Sequence, residues 1–168
     1  LAARRPTTMS EPVEGTHIPG EARAAPAFAP SFAAVLERIV ALAVRLTRAR
    51  HGALRVMGPE GTPAELFAWS ESSDAGGVLE PLTRSGGLLD LVEREGRAVR
   101  AADITRHSAG AGFPPHHSTG CAFLGVPIRA DGEGLGILCL LEKHAGGAFT
   151  AEDEALLEAF GSQAALAL

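Results

Sequence analysis

From Phe32 onward the apolar residues Phe32, Val35, Leu36, Ile39, Val40, Ala43 and Leu46 recur at helical spacing, with Glu37, Arg38, Arg45 and Arg48 between them. That stripe predicts an amphipathic helix of about four turns, N-capped by Ser31. Residues 52–57 and 64–70 then alternate as two strands, separated by the turn cluster Gly58-Pro59-Glu60-Gly61. Residues 76–84 read as loop. Leu88, Leu89, Leu91 and Val92 mark a short helix that stops at Gly96, placed as a C′ glycine. Residues 97–100 suit a short edge strand, and residues 103–116 a long loop with a helical turn at most.

The strongest strand signal follows. Residues 121–130 and 135–142 are apolar runs joined by Asp131-Gly132-Glu133-Gly134, and Asp-Gly between such runs predicts a β-hairpin. Thr150 with Asp153 three residues on approximates a capping box and opens a last helix. Leu156, Leu157, Phe160, Ala164, Ala167 and Leu168 share one of its faces. With no stop signal before the chain ends, that helix is expected to continue into an output domain. The sum is an α+β domain over residues 31–168, with an antiparallel sheet of five to six strands. Its terminal helices cover one face, and the loop-rich middle covers the other.

Just before the hairpin stands Gly112-Phe113-Pro114-Pro115-His116-His117. Consecutive prolines remove two backbone donors and hold the preceding residue extended, so the histidines sit on a stiff loop. A ligand pocket is expected beneath it. Extended backbone sends neighbours to opposite sides, which places His116 in solvent if His117 faces inward. His107 and His144 are expected to be solvated loop residues. Met57, Phe67, Trp69, Phe123, Ile137 and Cys139 are candidates for the apolar lining. Arg55 is the odd residue in an apolar strand, suited to an anionic ligand group or to snorkelling from an edge.

Composition narrows the function classes. Residues 1–30 are rich in Pro, Ala, Gly, Thr and Glu and read as a disordered arm or linker. A net charge of -5 over 168 residues gives no footprint for nucleic acid. No stretch reaches the ~20 apolar residues of a membrane span, and no signal peptide is recognisable, so the expected compartment is the cytoplasm. Two cysteines make no disulfide framework; with the turn near Gly132, Cys139 falls opposite Gly125 and far from Cys121, and both read as reduced, buried hydrophobes. Adjacent histidines with Cys121 beyond them do not form a zinc pattern. No Ser/His/Asp set or close carboxylate pair stands out. The glycines at 132, 134 and 136 lie in a hairpin turn rather than between strand and helix, so they are no phosphate loop.

The element order, together with Ala49-Arg50-His51-Gly52-Ala53, Gly96-Arg97-Ala98-Val99, Asp103, Phe123-Leu124-Gly125-Val126-Pro127-Ile128, Gly136-Ile137-Leu138, Glu142-Lys143 and Phe149-Thr150-Ala151-Glu152-Asp153-Glu154, resembles the GAF domain, a small-molecule sensor module of signalling proteins. The likeness runs from about Phe32 to the end. The Pro-Pro-His-His loop is most similar to GAF domains of actinobacterial oxygen- and redox-sensing histidine kinases. That resemblance implies haem as a cofactor, with His117 as axial ligand. It also implies Arg55, Met57, Phe113, Phe123 and Cys139 around it, and a homodimer through the terminal helices. The chain differs where those haem sensors carry a distal tyrosine, which is Cys139 here, and where they carry acidic and histidine residues, here Arg55 and Met57. Ser108-Ala109-Gly110-Ala111 supplies no cysteine for a linear tetrapyrrole. Two separated cysteines do not suit the methionine-sulfoxide-reducing relatives. The expected function is therefore non-enzymatic sensing of a small molecule; the alternatives are a haem-based gas or redox sensor and a ligand-free dimerisation module.

Overall fold

In chain order the elements are β1 (His17–Pro19), α1 (Pro30–Thr47), β2 (Ala49–Met57), β3 (Pro63–Ser70), α2 (Leu88–Glu95), β4 (Val99–Ala101), β5 (Phe123–Ala130), β6 (Glu133–Lys143) and α3 (Ala151–Ala167). They belong to a computed structural model that describes residues 17–19, 30–58, 61–71, 87–107 and 121–168. Among the described residues the strands form one antiparallel sheet of six, ordered β1-β3-β2-β6-β5-β4.

Local chemistry explains most boundaries. Asp131 and Gly132 both have positive φ, 50° and 87°, as a two-residue type I′ turn requires. Ala130 therefore pairs with Glu133 directly, and the connection is two residues rather than four. The ladder places Gly125 opposite Cys139, as the turn position predicts. Gly96 ends α2 in the left-handed conformation (φ 61°), its N–H bonded to Val92 O. Thr150 and Asp153 close a full capping box on α3. Two expectations shift. Ser31 is not the N-cap, because α1 already starts at Pro30, a residue whose fixed φ suits the first helical turn. Residues 17–19, inside the expected arm, pair with the free edge of β3 from His17↔Phe67 to Pro19↔Glu65.

Helices α1 and α3 cover one face of the sheet. Leu36, Val40 and Val44 of α1, and Leu157 and Ala164 of α3, pack on Leu54, Phe67, Val126, Leu138 and Leu140. The helical stripe is rotated from the predicted one. Val44 and Thr47 are buried, whereas Val35 and Leu46 are exposed together with Leu42 and Leu166. Gly52 lets α1 approach β2 closely, since a Cβ there would lie 2.5 Å from a Val44 methyl.

On the opposite face α2 lays Leu88, Leu89 and Val92 over Ala53, Leu66, Ala68, Phe123, Ile137 and Cys139. Phe67 and Trp69 were expected on this side but belong to the α1 face. β3 is apolar on both faces, so its alternation defines two sets of residues without saying which set faces which layer.

Candidate functional site

Among the described residues, the two polar side chains buried on the α2 face of the sheet both come from β2. His51, Ala53, Arg55 and Met57 point to this side because strand residues alternate. Arg55 is 5 % exposed. Its Nη1 lies 3.3 Å from Asp90 Oδ1 and its Nη2 3.2 Å from Glu93 Oε2. Asp90 and Glu93 stand one turn apart on α2, so a single guanidinium bridges both carboxylates and ties the helix to the sheet. The Nε of Arg55 is buried and has no hydrogen-bond partner among the described residues.

His51 lies four residues away along β2, about 13 Å at strand rise, and is 4 % exposed. Its Nδ1 is 2.7 Å from Ser70 Oγ, and its Nε2 is 3.7 Å from Glu142 Oε2. The Cys121 thiol is also hydrogen-bonded to Glu142. Burial first, then the Glu142 charge, push the Cys121 thiol up to about 12. Burial likewise raises Cys139 to about 12, with a nearby Arg55 charge acting in the opposite direction. Both thiols are therefore protonated at neutral pH, and a protonated thiol is a poor nucleophile.

At the hairpin end of the same face is a cleft of about 600 Å³ lined in part by Met57, Glu93, Pro127, Arg129, Leu135 and Ile137. That size suits a small molecule. Glu93 belongs both to the cleft wall and to the Arg55 ion pair. Of the expected lining, Met57 and Ile137 reach the cleft, while Phe123 and Cys139 are sealed in the packed layer beneath α2. Arg55 is occupied internally rather than free for a ligand. His117 and Phe113 lie outside the described residues, as does His116. His144, expected in solvent, is half-buried with its Nε2 3.2 Å from Glu71, and His107 is half-buried too.

His51, Ser70, Glu142, Asp90 and Glu93 were not foreseen as members of this face. For His51 a signal existed, because it shares the period-2 set of Arg55 and Met57. The carboxylates come from distant elements and carry no local mark. Haem is the cofactor implied by the resemblance. Arg55 does not fit the role of a propionate partner, because it is already neutralised by the Asp90 and Glu93 carboxylates.

The sequence profile of the GAF domain family matches residues 29–168. The fold overlays on the GAF domain of a phosphoenolpyruvate-protein phosphotransferase from Coxiella burnetii, at 26% identity and TM-score 0.66, covering 82% of this chain and 82% of that one. It overlays on a type II free methionine-R-sulfoxide reductase from Thermoplasma acidophilum at 22% identity and TM-score 0.60, covering 82% and 92%. It also overlays on the second GAF domain of DevS from Mycobacterium smegmatis at 18% identity and TM-score 0.58, covering 81% and 91%. No helix among the described residues is long and apolar enough to cross a membrane. With the profile spanning most of its length and the sheet layered as above, the chain belongs to the GAF domain family, small-molecule-sensing regulatory domains of signalling proteins.

Proposed function

We propose that this GAF domain is a non-enzymatic, cytoplasmic ligand sensor of a signalling protein, a sensor histidine kinase being the favoured context. The ligand occupies the hairpin-end cleft on the α2 side of the sheet, bordered by Met57, Glu93 and Ile137. One observation carries this reading: Glu93 holds Arg55 and also lines the cleft. A ligand that engages Glu93 competes with the bond tying α2 to β2, and so has different affinities for the tied and released arrangements, which is the requirement for a switch. Strands β2, β5 and β6 carry the α1 and α3 contacts on their other face, so a shift in them reaches the terminal helices. Exposed Val35, Leu42 and Leu46 on α1, with Leu166 on α3, supply apolar surface for a homodimer seam between those helices.

Thermal-shift measurements of the full chain against a panel of metabolites and nucleotides test this. At least one compound is expected to raise the melting temperature, with a weaker effect on a Glu93→Gln variant. A panel without any shift would favour the ligand-free dimerisation module. Absorption spectra after haem reconstitution are expected to lack a Soret band; a band that disappears in His117→Ala would replace this reading with the haem sensor.

A further inference from the structure

A second cleft, of about 470 Å³, lies on the other face of the sheet where α1 ends. Val44, Arg45 and Arg48 come to it from α1 and its exit, Trp69 and Glu71 from the end of β3, and His144 from the end of β6. The junction is fixed by the backbone. Arg48 has a left-handed φ of 56°, its N–H donates to Arg45 O, and its own carbonyl accepts the His144 N–H at 2.8 Å. Trp69 is half-buried and packs against the α1 core, leaving part of its indole at the cleft.

The charges there do not cancel. Glu71 is paired with His144 at 3.2 Å. Arg45 and Arg48 are exposed, and neither guanidinium has a hydrogen-bond or ion-pair partner among the described residues. Basic side chains at a helix C-terminus ordinarily answer the helix dipole, which contributes about -0.5 of a charge. Even against that dipole and the Glu71 carboxylate, the two arginines leave a local balance of about +0.5 with His144 counted as neutral. A guanidinium binds carboxylate and phosphate through paired N–H donors, and an indole offers a flat apolar surface for stacking.

We propose that this cleft is a second ligand site, specific for a small planar aromatic or heteroaromatic anion whose carboxylate or phosphate is held by Arg45 and Arg48 and whose ring lies on Trp69. It is separated by the whole sheet from the α2-side cleft and does not depend on the sensing assigned there. A ligand in this position joins the last turn of α1 to β3.

Trp69 is the only tryptophan of the chain, so its fluorescence reads the cleft directly. Nicotinate and adenosine monophosphate are titrated against the full chain, with nicotinamide and adenosine as uncharged counterparts and inorganic phosphate as the head group alone. The expected result is saturable quenching by one of the two aromatic anions, which identifies carboxylate or phosphate as the head group. The uncharged counterparts should leave the fluorescence unsaturated, and phosphate alone should bind more weakly than the aromatic anion. An Arg45→Gln/Arg48→Gln variant, both positions being exposed, should keep its circular dichroism and weaken binding about tenfold or more. Absence of saturable quenching by both anions, equal quenching by the uncharged partners, or an unchanged affinity in the double variant would each overturn the site.

Discussion

Arg55 and Asp90 meet at 3.3 Å although 35 positions separate them in the chain, and Glu93 completes the contact from the next turn of the same helix. The two sides of this contact are unequally hidden. Arg55 is 5 % exposed, whereas the side chains of Asp90 and Glu93 are 34% and 48% exposed. Removing the arginine leaves carboxylates that water can reach, but removing the carboxylates strands a guanidinium in an apolar layer. Arg55→Met is therefore expected to cost about 1–2 kcal/mol, and Asp90→Asn/Glu93→Gln about 3–5 kcal/mol, because an uncompensated buried charge is the dearer loss. Urea denaturation midpoints of the two variants check the order, and the reverse order would disprove it.

The capping box of α3 sets an acid limit. Partial burial pushes the Asp153 pKa up. Hydrogen bonds from Lys143 and from the backbone and side chain of Thr150, together with the Lys143 charge, outweigh burial and hold it below its ordinary value. A depressed folded pKa means the stabilisation is complete above the unfolded value of about 3.9 and is lost as pH falls through the folded one. The stability difference between wild type and Asp153→Asn should thus stay constant from neutral pH down to about 5 and shrink below about 4. Denaturation curves at stepped pH measure it.

Thr150→Ala removes the acceptor for the Asp153 N–H and should cost about 1 kcal/mol. Thr150→Ser keeps the hydroxyl and should recover most of that loss. Equal midpoints for the two variants would show that the hydroxyl is not what matters.

Gly52→Ala puts a methyl 2.5 Å from Val44 Cγ2. Overpacking of that kind costs about 1–3 kcal/mol. Combined with Val44→Ala, which clears the space, the loss should be smaller than the sum of the two single losses. A double-mutant cycle gives the coupling.

Cys121 and Cys139, with pKa values of about 12, should not react with a thiol-specific disulfide reagent at pH about 8 while the protein is folded, since the thiolate is the reactive form. Both should titrate in guanidinium. Rapid reaction of either in the native protein would reopen a redox role.

What the sequence disclosed was mainly what is decided within three or four residues. Asp131-Gly132 and the Thr150–Asp153 pair act on their own backbone, and Gly96 stops α2 by its own φ, so all three are legible in the order of amino acids alone. β1 is not. Three residues do not show an alternation, and the strand owes its existence to the open edge of β3. The face of Phe67 and Trp69 was undetermined for a related reason, since Leu66 and Ala68 are equally apolar. Arg55 stood out by being charged in an apolar strand, yet its partners lie on a helix whose position depends on the tertiary packing. The Pro-Pro-His-His loop was the clearest chemical signal in the chain, and it lies outside the described residues.

β2 and β6, the middle strands of the sheet, come from opposite ends of the folded region and pair from Ala49↔Lys143 to Val56↔Gly136. A nascent chain leaving the ribosome therefore has α1 and the β2–β3 hairpin waiting, with their apolar sides uncovered, until Glu133–Lys143 has been translated. Until then the unfinished sheet presents the open border of β2, and a chaperone or a neighbouring nascent copy could occupy that border before β6 arrives.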